Sequence, residues 1–386
     1  MNSSALGMPS TSLLTFCDAQ DQIFSPAFSI LDTAIADHVF PAASVAVTLR
    51  GRLIALKAFG RFTYESDPIG KRSVTVETLF DLASLTKVVA TATTAMILYE
   101  RGMLELEAPV AGVIPEFLAV AGPDPRRHEV TFRMLLAHSS GLPAYEKLFL
   151  KHRTRDKLLQ ATFTAPLTAD PGTHAEYSDI GFIILGAALE RLTGESLDQF
   201  CQREIFGPLG MTNTTFNPPA ELRAHIPPTA KECGGDARSN FRNRIIQGEV
   251  QDENASVLGG VAGHAGLFST AENVTRFAHA MLNGGRPILR PETVELFTRR
   301  EAEPLGTSRT LGWDTPSKPS QSGKYFSSGS FGHLGYTGTS LWIDPARQLS
   351  ITLLTNRTWP DCSNQAIKEV RPRFHDAVID ALNRSI

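Results

Sequence analysis

Cysteine is scarce in this 386-residue chain. The four present, Cys17, Cys201, Cys233 and Cys362, are scattered, with no C-x-x-C and no His/Cys cluster at metal-ligand spacing. Neither a disulfide framework nor a zinc site organises such a chain, and no metal or other cofactor is expected. Long hydrophobic runs are missing too. No stretch of about 18 apolar residues occurs, so no stable membrane insertion is expected. Residues 1–22 lack the basic start and continuous apolar stretch of a signal peptide; the expected location is the cytoplasm, with export left open. Charge of one sign is equally lacking. Against 40 Asp and Glu stand 37 Lys and Arg, a net charge of −3, without a basic block or heptad run, so nucleic acid is not an expected partner. Finally, G-x-S-x-G, H-E-x-x-H and G-x-x-x-x-G-K-[ST] are all absent, which sets aside a nucleophile-elbow hydrolase, a zincin and a P-loop.

What is present is a chain long enough, at 42% hydrophobic, to bury one large core or two linked lobes. Its most informative stretch is Ser84-Leu85-Thr86-Lys87. In a helical segment a serine and a lysine three apart share a face. Residues 88–101 (VVATATTAMILYER) supply such a helix, stopped by Gly102. Ser84 then sits near a helix N-terminus, where backbone N–H groups favour developing negative charge. Lys87 would be buried among apolar groups, and burial disfavours an ammonium, so Lys87 is expected to be neutral enough to take the serine proton. S-x-x-K fixes only two of four letters, and its weight comes from its surroundings.

Taken in order, residues 28–39 read as a helix, and 44–60 as two β-rich runs around Arg50-Gly51, a hairpin signal. Residues 102 to about 250 look helical and loop-rich, with 217–250 expected as an extended surface segment. A glycine-dense stretch at 259–270 suggests close backbone packing near a site. Residues 332–345 read as a strand pairing with 349–356, and 367–382 as a closing amphipathic helix. Strands at both ends with helices between imply an α/β (α+β) architecture: one antiparallel sheet built from both chain ends, flanked by helices, with a mainly helical lobe inserted.

Three motifs in order carry chemistry: Ser84/Lys87, then Tyr177-Ser178-Asp179 at a helix start, then His333-Leu334-Gly335. With LLAHSSGLP at 135–143, PGTHAEYSDIGFIILGAALERLTG at 171–194, IFGPLGM at 205–211, GGVAGHAGLFST at 259–270 and GHLGYTGTSLWID at 332–344, the chain resembles the serine hydrolases of the class C β-lactamase, penicillin-binding-protein and related esterase superfamily. S-x-x-K is among the signatures of penicillin-recognising enzymes. The resemblance implies a β-lactamase/transpeptidase-like catalytic domain over 25–386, with an α/β lobe of 25–80 plus 255–386, a helical lobe of 81–254 and a poorly ordered extension at 1–24. It implies that Ser84 forms an acyl-enzyme, that Lys87 and Tyr177 share the proton transfer, the phenol's pKa being lowered by the ammonium or the phenol relaying a proton, and that the backbone N–H groups of Ser84 and Tyr336 hold the oxyanion. Gly335 lets a peptide-like substrate lie against the strand edge.

Two departures bear on substrate. Asp179, a candidate substrate-binding residue, puts a carboxylate where Y-x-N has an amide, and its charge can stabilise Lys87. His333 stands where β-lactamases usually carry lysine, which weakens recognition of a β-lactam carboxylate by a fixed cation. The expected activity is therefore hydrolysis of an ester or amide in a small-molecule or peptide-like substrate: a cell-wall peptide, muropeptide or D-amino-acid derivative. A β-lactamase or D-Ala-D-Ala carboxypeptidase is the alternative, and a non-catalytic sensor the second. His264 is open between pinning its own loop and contacting substrate, and His333 between a structural and a binding role. Asp252 and Glu253 either line the cleft or cap a turn. His138 is expected to tie down its own loop, and Trp313, Trp342 and Trp359 to be core.

Overall fold

The computed structural model describes residues 13–64, 72–120, 122, 124–232 and 241–385. Its centre is a six-stranded sheet: β1 (Leu14–Thr15), β2 (Ala42–Leu49), β3 (Arg52–Gly60), β4 (Phe331–Leu334), β5 (Ser340–Asp344) and β6 (Leu349–Thr355), in the spatial order β1-β3-β2-β6-β5-β4. Arg50 and Gly51 both take positive φ (50° and 75°) and close the tight β2–β3 hairpin. β2 then pairs antiparallel with β6 from Ala43↔Thr355 to Leu49↔Leu349. The two ends of the chain meet in one sheet, as strands at both ends of the sequence imply, and side chains alternate in direction along each strand.

That alternation also assigns the faces. Val45, Val47, Ile351 and Leu353 point to one side, packing with α1 (Ser25–Ala36) and the C-terminal α5 (Ile367–Ser385). Ala42, Ala46, Leu341, Ile343 and Leu354 point to the other, toward α4 (Ala271–Leu282) and the larger core of the helical region. All nine are fully buried. Each large aliphatic among them is worth about 1.5–3 kcal/mol by burial, so a one-residue slip that exchanged the faces would be heavily penalised. The helical region includes α2, which starts as a π-type coil over Lys87–Ala92 and continues as Thr93–Glu100, and α3 (Asp179–Thr193). Trp313, Trp342 and Trp359 are core residues.

Three expectations need correction. Residues 13–24 are not a loose extension: β1 adds in parallel to β3, and Gln20 Oε1 accepts the Leu56 N–H at 2.9 Å; residues 1–12 lie outside the described residues. The stretch 217–250 is not merely a surface segment, because Ile226 and Ile246 give it an inward face and Ala230–Lys231 pairs with Ile245–Ile246 (233–240 lie outside the described residues). And 332–345 is two strands, not one. Gly335 and Gly338, the latter at φ 96°, turn the chain between β4 and β5, so His333-Leu334 ends an edge strand instead of entering one. No helix among the described residues is long and apolar enough to cross a membrane.

Candidate active site

The short strand Phe80–Asp81 pairs with Leu267–Ser269 and leads into a sharp turn. Ala83 sits there at φ 46°, a left-handed conformation that costs on the order of 1–3 kcal/mol for a residue with a Cβ. Asp81 Oδ1 holds it by accepting the Ala83 N–H at 2.8 Å. The following 3₁₀ turn, Ala83–Leu85, lifts Ser84 into a cleft, while Lys87, one turn on, is completely buried.

Two side chains converge on Ser84 Oγ. The Tyr177 hydroxyl donates to it at 2.7 Å and Lys87 Nζ at 3.1 Å. Lys87 Nζ also donates to Asp179 Oδ1 at 2.6 Å and to the carbonyl of His264 at 3.0 Å. Tyr177 and Asp179 reach the serine together because Ser178 caps α3, its Oγ accepting the Gly181 N–H at 3.0 Å. The spacing that marked Y-x-D in the sequence is the spacing that puts a phenol and a carboxylate on either side of one cap.

The protonation of this group differs from the expectation. Burial does disfavour the Lys87 ammonium, but Asp179 and Tyr177 outweigh it and hold the lysine above its usual value. Burial likewise lifts the Tyr177 phenol, and the adjacent ammonium only partly opposes this. The resting arrangement is therefore an ammonium–carboxylate pair beside a neutral phenol. A base appears only when this coupled unit gives up a proton. We expect log(kcat/KM) to keep rising from neutral into alkaline pH as the unit deprotonates; a pH-rate profile that falls over that interval would contradict it.

Three histidines border the group. His138 Nδ1 accepts the Ser178 N–H at 3.0 Å and its ring lies 4.7 Å from that of Tyr177, so it secures the Tyr177 segment as well as its own loop. His333 is buried, and its Nδ1 bonds the Leu334 carbonyl at 2.8 Å; a carbonyl only accepts, so that nitrogen carries the proton. Burial pushes both imidazoles well below the usual range, and both stay neutral. His264 is buried with Nε2 2.8 Å from Asp252 Oδ1, and with that bond it holds Asp252 below the usual carboxylate range despite burial. Asp252 in turn caps the turn Glu253–Val257, Oδ1 accepting the Ala255 N–H at 2.7 Å. The glycines before His264 work by close approach: a Cβ on Gly186 of α3 would come within 2.8 Å of the Gly263 backbone.

The opposite wall is the loop from Gly335 to Thr339. A Cβ at Gly335 would meet Leu82 O at 2.6 Å and overlap Thr339 Oγ1, which itself donates to Leu82 O at 3.0 Å. Two guanidinium groups brace this loop. Arg357 Nε donates to Tyr336 O at 2.7 Å, and Arg371 donates to the carbonyls of Gly335, Gly338 and Thr339. Together these walls enclose a cleft of about 530 Å³. Ser84, Tyr177, Asp179, His264, His333, Gly335 and Tyr336 all line it, as do Asp252 and Glu253. Sequence reasoning missed Asp81, Tyr145, Arg309, Arg357, Lys368 and Arg371; only Asp81 carried a signal, three residues before Ser84. Among the described residues no three His, Cys, Asp or Glu group as metal ligands would.

A serine hydroxyl met by a buried lysine and a tyrosine, on a sheet closed from both chain ends, has the makings of a serine-dependent acyl-transfer enzyme. The chain belongs to the β-lactamase family, whose model matches residues 28–370. It is 35% identical over 349 residues to a Bacillus subtilis (strain 168) protein named N-acetylmuramyl-L-alanine amidase, covering 82% of this chain and 77% of that one. It is 32% identical over 349 residues to an Escherichia coli (strain K12) protein named "Putative D-alanyl-D-alanine carboxypeptidase", covering 83% and 79%. Among solved structures, EstCE1, a hydrolase with promiscuous acyltransferase activity, superposes with a TM-score of 0.75 at 22% identity over 94% of this chain and 100% of its own. The fold is β-lactamase/transpeptidase-like, and the protein is a serine hydrolase of this kind.

Proposed function

We propose that the protein forms an acyl-enzyme on Ser84 and hydrolyses an amide or ester bond of a cell-wall peptide, muropeptide or D-amino-acid derivative. The observation that carries this is the pair of hydrogen bonds onto Ser84 Oγ, 2.7 Å from Tyr177 and 3.1 Å from Lys87. In the reacting form, Ser84 Oγ bonds to the carbonyl carbon while its proton passes into the Lys87–Tyr177 unit. The carbonyl π electrons move to oxygen, which the N–H groups of Ser84 and Tyr336 receive; one such donor is typically worth about 3 kcal/mol. Collapse breaks the bond to the leaving nitrogen or oxygen, which takes the proton back from the unit. Water then repeats the sequence on the ester and frees Ser84.

The name of the Bacillus relative supports the muropeptide amide, and that of the Escherichia relative supports a D-alanyl peptide as the second reading. The neutral, buried His333 argues against recognition of a β-lactam carboxylate by a fixed cation at that position. A binding-only role would leave the convergence of Lys87 and Tyr177 on Ser84 without a purpose. The test is turnover of a purified muropeptide, a D-alanyl-D-alanine peptide and a p-nitrophenyl ester by the same preparation. The expected order places a peptide substrate above the ester in kcat/KM, and hydrolysis of the ester alone would move the protein to the esterase branch.

A further inference from the structure

The machinery above leaves Asp81, a buried carboxylate of the cleft region, without a part in the chemistry. Asp81 is 2% exposed and makes three separate connections. Its Oδ1 accepts the N–H of Ala83, the residue before Ser84, at 2.8 Å. Its Oδ2 accepts the N–H of Gln251, the residue before Asp252, at 2.6 Å. Its own carbonyl accepts Thr337 Oγ1, one residue past Tyr336, at 2.8 Å. These are three separate pieces of the cleft: the strained serine turn, the segment whose Asp252 holds His264 against Lys87, and the loop that carries the Tyr336 N–H.

We propose that Asp81 is a positioning residue that locks the serine turn, the Gln251–Asp252 segment and the Thr337 loop into one frame. The inference rests on acyl transfer at Ser84. Only a carboxylate satisfies both N–H donors at once. An amide of the same shape has to aim its NH₂ at one of them, leaving two donors opposed. The strained φ of Ala83 persists only while its surroundings over-determine it, and the Asp81 bond is the tether nearest to that strain. A misplacement of Ser84 by a fraction of an ångström acts on the reaction rate more than on substrate binding.

The frame is also pH-sensitive. Burial lifts the Asp81 carboxyl to about 6, and Asp252 adds to the rise; the Ala83 and Gln251 N–H groups and the Arg242 guanidinium oppose it. Arg242 is itself paired with Glu232 and donates to the carbonyls of Val250 and Gln251, so it reaches Asp81 from behind the same segment. The remaining partner, Thr337, is uncharged. Above that pH the carboxylate accepts both N–H groups. Below it, a proton on one oxygen faces a donor and the serine turn is placed differently, although the raised value means that protonation opposes opening of the frame to water.

The test is the rate at which a fluorophosphonate adds to Ser84, read by intact mass from about pH 5 to 8, for the wild type and Asp81→Asn, with thermal midpoints alongside. We expect Asp81→Asn to react about tenfold more slowly, or worse, near pH 7.5, and below about pH 6 to follow only the fall set by the Lys87–Tyr177 unit, without the added steepening that Asp81 gives the wild type. A folded Asp81→Asn protein with the wild-type rate and the wild-type acid limb overturns the proposal. Should that variant not fold, amide hydrogen exchange on the wild type decides. Protection of Ala83 and Gln251, corrected for intrinsic exchange, is expected to rise on going from about pH 7.5 to about pH 5, because opening returns the Asp81 carboxyl to water and to its ordinary, lower value. Unchanged protection overturns the frame. No adduct on the wild type would instead overturn acyl transfer at Ser84, with the exchange result still judging Asp81.

Discussion

Ser84→Ala is expected to lower kcat/KM by on the order of 10⁴-fold or more while leaving the fold intact. Ser84 Oγ accepts bonds from Tyr177 and Lys87 but supports no packing that an alanine methyl cannot replace, and Lys87 keeps its stronger partners, Asp179 and the His264 carbonyl. The thermal midpoint should therefore move little. If the alanine variant retained most of its turnover on the best substrate, the nucleophile would lie elsewhere. Measurement of kcat/KM and of the midpoint on one preparation separates loss of chemistry from loss of structure.

Asp179→Asn should have the largest effect on stability. Lys87 is fully buried, and Asp179, with its side chain 18% exposed, is the carboxylate that offsets the cost of that ammonium. Removing one partner of a buried pair leaves an uncompensated charge, at about 3 kcal/mol or somewhat more. The sign with pH follows from the same pair. In the wild type the lysine is held above its usual value, so its contribution is fully present below the unfolded value of 10.5 and is lost as pH rises through the folded one. In the variant, burial is left largely unopposed and drives Lys87 toward the neutral amine. The stability deficit should then be greatest near neutral pH and shrink toward alkaline pH. The rising limb of kcat/KM should move to lower pH with it. Denaturant unfolding at about pH 7 and pH 10 checks the first, and a pH-rate profile the second. An equal deficit at both pH values would mean that the pair is not what Asp179 contributes.

Much of the fold could be read from local pattern. Strands at both ends with helices between implied the joining of the two ends, and the Arg50-Gly51 turn and the β-rich runs around it identified the first hairpin, because these depend on neighbours in sequence. The same holds for Ser84 with Lys87 and for Tyr177 with Asp179, pairs separated by a turn of helix or a single cap. For Lys87, burial alone gave the wrong direction; Asp179, 92 residues away, was read as able to stabilise the lysine, but that it outweighs burial was not legible. The direction of the Tyr177 shift failed for the related reason that desolvation outweighs the ammonium beside it. The Gly335 motif was placed on the wrong side of its strand, because Gly338 and the two arginines that brace the loop act through backbone carbonyls and leave no periodic trace. Asp81 stood three residues before Ser84, yet its partners Gln251 and Thr337 come from distant segments that only folding brings to it.

The most direct measurement is the intact mass of the protein after exposure to a fluorophosphonate, with the modified peptide mapped. A single adduct on Ser84, growing faster as pH rises above neutral, is the expected result. An adduct on any other residue, or none at all, would contradict an acyl-enzyme at Ser84.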